Sequence, residues 1–490
     1  MADLNFSARV RRFALTAGCV AFLAACGGGG SGTPTSGTGA APAPAPAPAP
    51  AASTAGCTLT ARKSWALAQL QEWYLFPSLF NASANPSAYA TVDEYIDALV
   101  APARAQNRDR YFTYLTSIAE ENAYYEQGET AGFGMRLMFD PTGTRLFVSE
   151  VFEGSPAQPP GIDRGSEILR IGANGAQHQS VSQILASGGT AALLQALGPD
   201  VAGYQRFFEF RDSAGVVRST TISKADFELD PVSNIYGAKI IDDGGHKVGY
   251  INLRVFIDTA DSDLRTAFAD FEAQGVTDLI IDLRYNGGGL ISIAELFGDL
   301  MGAGREGQTF EYIAFRDSKS SLNESYAFQA QPQSIAPTKV AFIATEGTAS
   351  ASEMLINGMV PYLGTNMALI GENTYGKPVG QIALDRPDCD DRLRAIAIKI
   401  ENADHQGEYY NGLATTVPVT CRATDDIDHQ LGDPNEGMVR AALDFLAGRS
   451  CTSITAKAGA AIAGATGGAR KLLTRTAPRS TPEHELPGAF

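Results

Sequence analysis

The sequence predicts a multidomain α/β protein, and three observations carry that prediction. Between residues 226 and 450, short apolar β-branched runs alternate with helical stretches, the rhythm of a largely parallel sheet with right-handed crossovers. Residues 128–225 change to short strands punctuated by glycine-rich turns, the mark of a β-rich domain. Residues 57–127 carry apolar positions at helical spacing and predict a small helical domain. What remains is a leader at 1–25, a linker at 26–56 and a tail at 451–490, for which disorder is expected.

The leader has a basic start at Arg9, Arg11 and Arg12, then an apolar stretch from Phe13 to Cys26. That stretch is too short for a comfortable membrane span and ends in small residues, as a secretory signal does. Leu23-Ala24-Ala25-Cys26 resembles a bacterial lipobox, which implies lipid on Cys26 and a chain anchored in the cell envelope, facing the periplasm from the outer membrane. The linker is Gly/Ser/Thr-rich and then alternates Ala and Pro from Ala41 to Ala52. Alternating proline favours extended polyproline II, a semi-rigid spacer that would hold the folded part off the membrane.

Of six cysteines, Cys19 leaves with the signal and Cys26 takes lipid, leaving Cys57, Cys389, Cys421 and Cys451 in an oxidising compartment. Four cysteines allow three pairings. Cys389–Cys421, closing a local loop, and Cys57–Cys451, tying the ends of the folded region, is the pairing expected here. The net charge of −16 argues against a nucleic-acid partner, which would require clustered Lys and Arg. No Cys/His cluster has the spacing of a zinc site, and neither metal nor organic cofactor is expected.

In the helical region, "ARKSWALAQLQEWYLF" sets Trp65, Leu67, Leu70, Trp73 and Leu75 at helical intervals, and "TVDEYIDALV" opens with a cap signal at Thr91. In the β-rich region, "GFGM", then "GSPAQPPGIDRGSEILRIGANG", then a helix follow in the order of a PDZ domain, which this segment resembles. A PDZ domain adds a peptide as an extra strand and holds its terminal carboxylate on backbone N–H groups. The resemblance places that carboxylate loop at Gly132, Phe133, Gly134 and Met135.

In the alternating region, "KVGYINL", "DLIIDL", "KVAFIAT" and "MALIGE" read as strands, with helices at "ADSDLRTAFADFEAQ", "LISIAELFGDLM" and "SEMLINGMV". Sites in such sheets form where strands end and helices begin. Two glycine-rich segments occupy those junctions, "RYNGGG" and "TEGTAS". Ser350 and Glu353 fit a capping box, S-x-x-E. A serine at that point also sits beside helix N–H groups that could stabilise an oxyanion. It needs a base, and none of the five histidines lies in a recognisable motif. A buried lysine, its charged form disfavoured, can serve instead. Lys377 in "TYGKPVGQ" falls just beyond the strand "MALIGE".

"GTASASE", "GENTYGKPVGQ" and "DLRYNGGG", following a PDZ-like segment, resemble the carboxyl-terminal processing (tail-specific) serine proteases over residues 57–446. That resemblance implies a crotonase/ClpP-like catalytic domain with an additional β part. It implies Ser350 as nucleophile, Lys377 as base and Gln381 as the residue that holds the lysine, with N–H groups of Gly288 and Ala351 as the oxyanion hole. The substrates implied are polypeptides with free C-termini, and a homo-oligomer or regulatory partner is left open. Three departures stand out. The Ser350–Lys377 spacing is longer than the family's, with the extra length near "PYLGTN", which leaves Ser352 as an alternative nucleophile. Gly287 replaces the family's proline. The family's C-terminal pattern is only echoed by "GLATTVPV". Lys377 and Gln381 meet only if the chain bends near Pro378–Gly380, because an extended segment would hold them about 13 Å apart. Asp282 is expected to be structural, Arg284 an internal ion-pair partner, His405 a surface or packing histidine, and Asp425-Asp426 a solvated turn. The alternative function is a non-catalytic PDZ scaffold on the same fold.

Overall fold

The computed structural model describes residues 56–454, 469–478 and 480–490. The leader, Cys26 and nearly all of the linker lie outside the described residues.

Helices α1 (Leu59–Trp73) and α2 (Val92–Arg104) open the fold. Thr91 caps α2 in a full capping box with Glu94, as the cap signal predicts. Strand β1 (Tyr114–Ser117) and helix α3 (Ile118–Gln127) follow. These helices form no core of their own. Ala66, Leu70, Tyr74 and Leu99 belong to the same apolar cluster as Leu279, Leu355 and Ile396 further along the chain. The Leu75 N–H donates to the Ile396 carbonyl, and β1 pairs with a strand more than 270 residues away. The expected separate helical domain therefore shares one core with the strands and helices that follow it.

The β-rich segment contains β2 (Glu129–Gly132), β3 (Met135–Phe139), β4 (Leu146–Val151), β5 (Glu167–Asn174), β6 (Gln177–Ser180), helix α4 (Val181–Leu197), β7 (Gln205–Arg211), β8 (Val217–Ser223) and β9 (Ala225–Glu228). Strands β3, β4, β5, β7 and β8 form one antiparallel sheet in that order. Its core is separate from the main one and gathers Phe133, Met135, Leu137, Ile168, Ile184 and Phe208.

Strands β10 (Ala238–Asp243), β11 (His246–Asn252), β12 (Asp278–Asp282), β15 (Lys339–Ala344), β16 (Met367–Gly371) and β19 (Thr420–Arg422) make the central sheet in that spatial order. All neighbours are parallel except β10 with β11. Helices α5 (Ala260–Ala273), α6 (Ile291–Leu300) and α7 (Ala351–Leu363) are crossovers in the positions the sequence pattern predicts. Every residue of β12 and β16 is buried, as in a sheet covered on both faces. A second sheet joins β13 (Thr309–Phe315), β14 (Glu324–Ala327), β17 (Val379–Arg386), the long β18 (Asp391–Asn402) and β1. Helix α8 (Gly437–Leu446) packs against the far face of the central sheet through Met438, Val439 and Leu443.

Two expectations are corrected. The disulfides are Cys57–Cys389 and Cys421–Cys451, with Cα–Cα distances of 5.5 and 5.4 Å. Cys57 precedes α1, whose Arg62 pairs with Asp391 and so sets it beside the turn that holds Cys389. Cys451 follows α8 and returns alongside β19, where the Arg422 N–H donates to the Thr452 carbonyl. The tail is also ordered where it is described. Strand β20 (Lys471–Leu472) pairs antiparallel with β3, and helix α9 (Thr481–Glu485) follows. Leu473, Leu486 and Phe490 are buried, so three apolar anchors overcome a composition that is poor in them.

Candidate active site

The carboxyl ends of three adjacent parallel strands supply the site: the loop 283–290 after β12, the loop 345–350 after β15, and the loop 372–378 after β16. Ser350 immediately precedes α7, with φ 54° and ψ −116°. A residue with a Cβ rarely adopts that conformation, and holding it requires roughly 1–3 kcal/mol of support from its surroundings. The support is visible. The Ala349 N–H donates to the Asn286 carbonyl at 3.0 Å, and the Tyr375 N–H to the Thr348 carbonyl at 2.9 Å.

Glu353 ties the Ser350 turn to the lysine loop. Its buried carboxylate accepts from the backbone N–H of Ser350 at 3.1 Å, Gly376 at 2.7 Å and Lys377 at 2.7 Å. Ser350 and Lys377 share one oxygen, so their amide nitrogens lie no more than about 5.8 Å apart. Burial pushes the Glu353 carboxyl above its usual range, while those same N–H donors pull it down. The capping-box pattern locates Glu353 but gives no hint that it reaches a loop 23 residues away.

The Lys377 side chain is buried, and its Nζ donates to Gln381 Oε1 at 2.8 Å. An irregularity in the β17–β18 pairing between Gly380 and Gln381 provides the bend. Gln381 Nε2 in turn donates to the Phe112 carbonyl at 2.5 Å, and the Phe112 ring centroid lies 4.9 Å from the ammonium. Phe112 comes from the segment before β1, so the region expected to be a separate domain buttresses the lysine. Burial lowers the Lys377 pKa to about 8, against opposing pulls from Glu485, Asp109 and Glu353.

Gly288 packs against the serine turn. A Cβ there would stand 2.7 Å from Ser350 Cβ and 3.1 Å from the Ala351 nitrogen. Its φ of 118° is also one that side chains disfavour. The Gly288 N–H donates to Asn286 Oδ1 at 2.9 Å, inside its own loop. Ser352 is fully buried and donates its hydroxyl to the Asn286 carbonyl at 3.0 Å. Asn286 thus organises both loops, a role the sequence does not reveal.

Asp282 and Arg284 lie beneath the site. Arg284 is fully buried and pairs with Asp282, Asp425 and Glu436 at 2.9, 3.0 and 2.9 Å. Asp425 also accepts from Arg164 at 2.6 Å, so this aspartate is a buried ion-pair member and not part of a solvated turn. His405 stacks on Tyr312 at 4.3 Å at the surface.

A cleft of about 710 Å³ opens over Lys377, Tyr375, Ala349, Gly287 and Phe112, and residues of 470–478 and 483–487 supply one of its walls. In the β-rich segment, the N–H groups of Gly134 and Met135 donate to one oxygen, the carbonyl of Phe490, at 2.9 and 3.3 Å. Gly132 leaves room for it, since a Cβ there would lie 2.9 Å from the Phe490 carbonyl carbon. Phe133 is buried in the core behind the loop.

Ser350 on its strained turn and the buried Lys377 thus stand on adjoining loops at the carboxyl edge of a parallel sheet. Residues 247–409 match the model of peptidase family S41. The chain is 28% identical over 330 residues to a carboxyl-terminal-processing protease of Picosynechococcus sp., which covers 65% of this chain and 70% of that one. It is 24% identical over 305 residues to the carboxy-terminal processing protease CtpA of Bacillus subtilis, covering 60% of this chain and 58% of that one. The crystal structure assigned as an S41 protease from Bacteroides fragilis superposes with a TM-score of 0.59 at 22% identity, over 78% of this chain and 97% of that one, and shares the fold. The chain is a serine-type peptidase whose residues 247–409 match family S41 and whose sequence is similar to carboxyl-terminal processing proteases.

Proposed function

We propose that this peptidase cuts polypeptide chains internally with Ser350 as nucleophile and Lys377 as general base. The observation that carries the reading is the buried Lys377 amine, held by Gln381 on a loop that Glu353 binds to the backbone of Ser350. Unprotonated Nζ takes the proton from Ser350 Oγ as that oxygen attacks a peptide carbonyl, and later gives it to the leaving amine. Gln381 orients the amine. The N–H groups of Gly288 and Ala351 receive the developing oxyanion once Gly288 turns from Asn286.

The segment 128–225 serves as a PDZ domain in this reading. Its loop at Gly132–Met135 captures the end of an exported or misfolded polypeptide by strand addition. The lipobox-like Cys26 would anchor the protein to the envelope, facing the periplasm. No helix among the described residues is long and apolar enough to cross a membrane.

The test is cleavage of an unstructured protein such as casein by the wild type, Ser350→Ala and Ser352→Ala. Ser350→Ala is expected to abolish cleavage, and Ser352→Ala to retain it. Equal cleavage by all three, or by none, overturns the assignment and favours a scaffold.

A further inference from the structure

The tail traces an unusual path. It pairs with the free edge of β3 twice. First Lys471 and Leu472 lie opposite Phe139 and Met138, and the Leu473 N–H donates to the Leu137 carbonyl at 2.9 Å. The chain then leaves the sheet, crosses the cleft, and returns. The Leu137 N–H donates to the Gly488 carbonyl at 2.8 Å, Ala489 bridges Arg136, and the Phe490 N–H donates to the Met135 carbonyl at 3.0 Å. The Phe490 ring enters the core formed by Phe133, Leu137 and Phe208. A peptide added as a strand, with its oxygen on the glycine loop and its last side chain in an apolar pocket, is how such a groove would hold a ligand.

Between its two sheet contacts the segment is fastened to the catalytic unit. The Gly287 N–H donates to the Glu485 carbonyl at 2.9 Å. A Cβ at residue 287 would lie 2.1 Å from the His484 carbonyl oxygen, and a proline there would also lack the donor. The glycine at this position is therefore matched to a backbone lying across it. His484 stacks on Tyr114 at 4.4 Å, Tyr125 donates to Glu485 Oε1 at 2.5 Å, and Thr481 donates to Glu121 at 2.7 Å. Glu485 Oε2 is buried without a hydrogen-bond partner, and the Glu485 and Lys377 charges act on each other. An acidic side chain is thus placed where it favours the protonated, non-basic form of the lysine.

We propose that residues 470–478 and 480–490 are a built-in competitor for substrate: they wall the cleft beside Lys377 and fill the groove at Gly132–Met135 together, and a polypeptide whose final residue is large and apolar must displace Phe490 before it is cut. This inference rests on the peptidase reading above and adds its regulation and the ligand class of the groove. Displacement at the groove peels the tail from β3, which frees the strand edge and draws Glu485 away from Gly287 and the lysine.

The test uses the full chain with and without Phe490→Asp, each also carrying Ser350→Ala. The probe is a fluorescein-labelled peptide of residues 481–490, with a version ending in Asp as control. In the Ser350→Ala background the peptide is expected to bind the Phe490→Asp chain at least tenfold more tightly than the chain with Phe490, and the control peptide to bind neither. Equal affinity for both chains overturns the proposal. With Ser350 present, Phe490→Asp is expected to cleave casein at least fivefold faster than the wild type, and where the wild type cleaves, an unchanged or lower rate overturns the proposal. If neither chain cleaves casein but the peptide binds as expected, the Ser350–Lys377 reading fails and the occupancy stands. Should Phe490→Asp disturb folding, judged by its thermal unfolding, Phe490→Ala is expected to give the same order in both measurements.

Discussion

In the proposed mechanism, Lys377 is the residue for which burial matters most. An exposed lysine would be almost wholly protonated at neutral pH and useless as a base. Burial brings its pKa to about 8, so the neutral form, the one the proposed mechanism requires, grows as pH rises through that value. The kcat/KM for casein-derived peptides is expected to rise with pH through about 8 and to fall below it; a profile flat into acid contradicts the lysine's role. Gln381→Ala removes the acceptor that fixes the amine while leaving the amine itself. Its kcat is expected to fall about a hundredfold with little change in KM, as for other losses of alignment near 1 Å. The place of Ser350 ahead of α7 and the contact of Lys377 with Gln381 were legible in the sequence because short motifs mark those strand ends. Glu353 and Asn286 were legible only as a cap and a loop residue, since their partners are non-local.

At the scale of elements, alternating strands and helices were readable because a buried parallel strand is an unbroken apolar run and a crossover helix repeats its apolar face. The merger of α1 and α2 with the catalytic core was not, because periodicity shows which face is buried and not what buries it. Asp425 was misread for the same reason: its cations, Arg164 and Arg284, lie 261 and 141 residues away. Arg284→Met leaves the carboxylates of Asp282 and Glu436 buried without that cation and is expected to destabilise the fold by about 3–5 kcal/mol in denaturant titration. Glu353→Ala strands three backbone N–H groups that now share one carboxylate. Loss of about 3 kcal/mol is expected, with activity falling even where the protein remains folded.

For the whole molecule, the disulfides join parts of very different separation. Cys57–Cys389 spans 332 residues and holds α1 to the second sheet, whereas Cys421–Cys451 spans 30. Removing the first by Cys57→Ala/Cys389→Ala is expected to cost about 2–5 kcal/mol and lower Tm more than removing the second. Calorimetry of the two double variants checks the order. The pairing itself was not legible, since it depends on which segments the tertiary fold makes neighbours.

The edge of β3 is covered by the chain's own residues at both ends. Once uncovered, it becomes a row of backbone donors and acceptors open to any extended chain, including a second copy of the protein. A form freed of its tail would thus be adhesive as well as active: light scattering of Phe490→Asp should grow with concentration, and a short peptide able to cap the strand should suppress that growth.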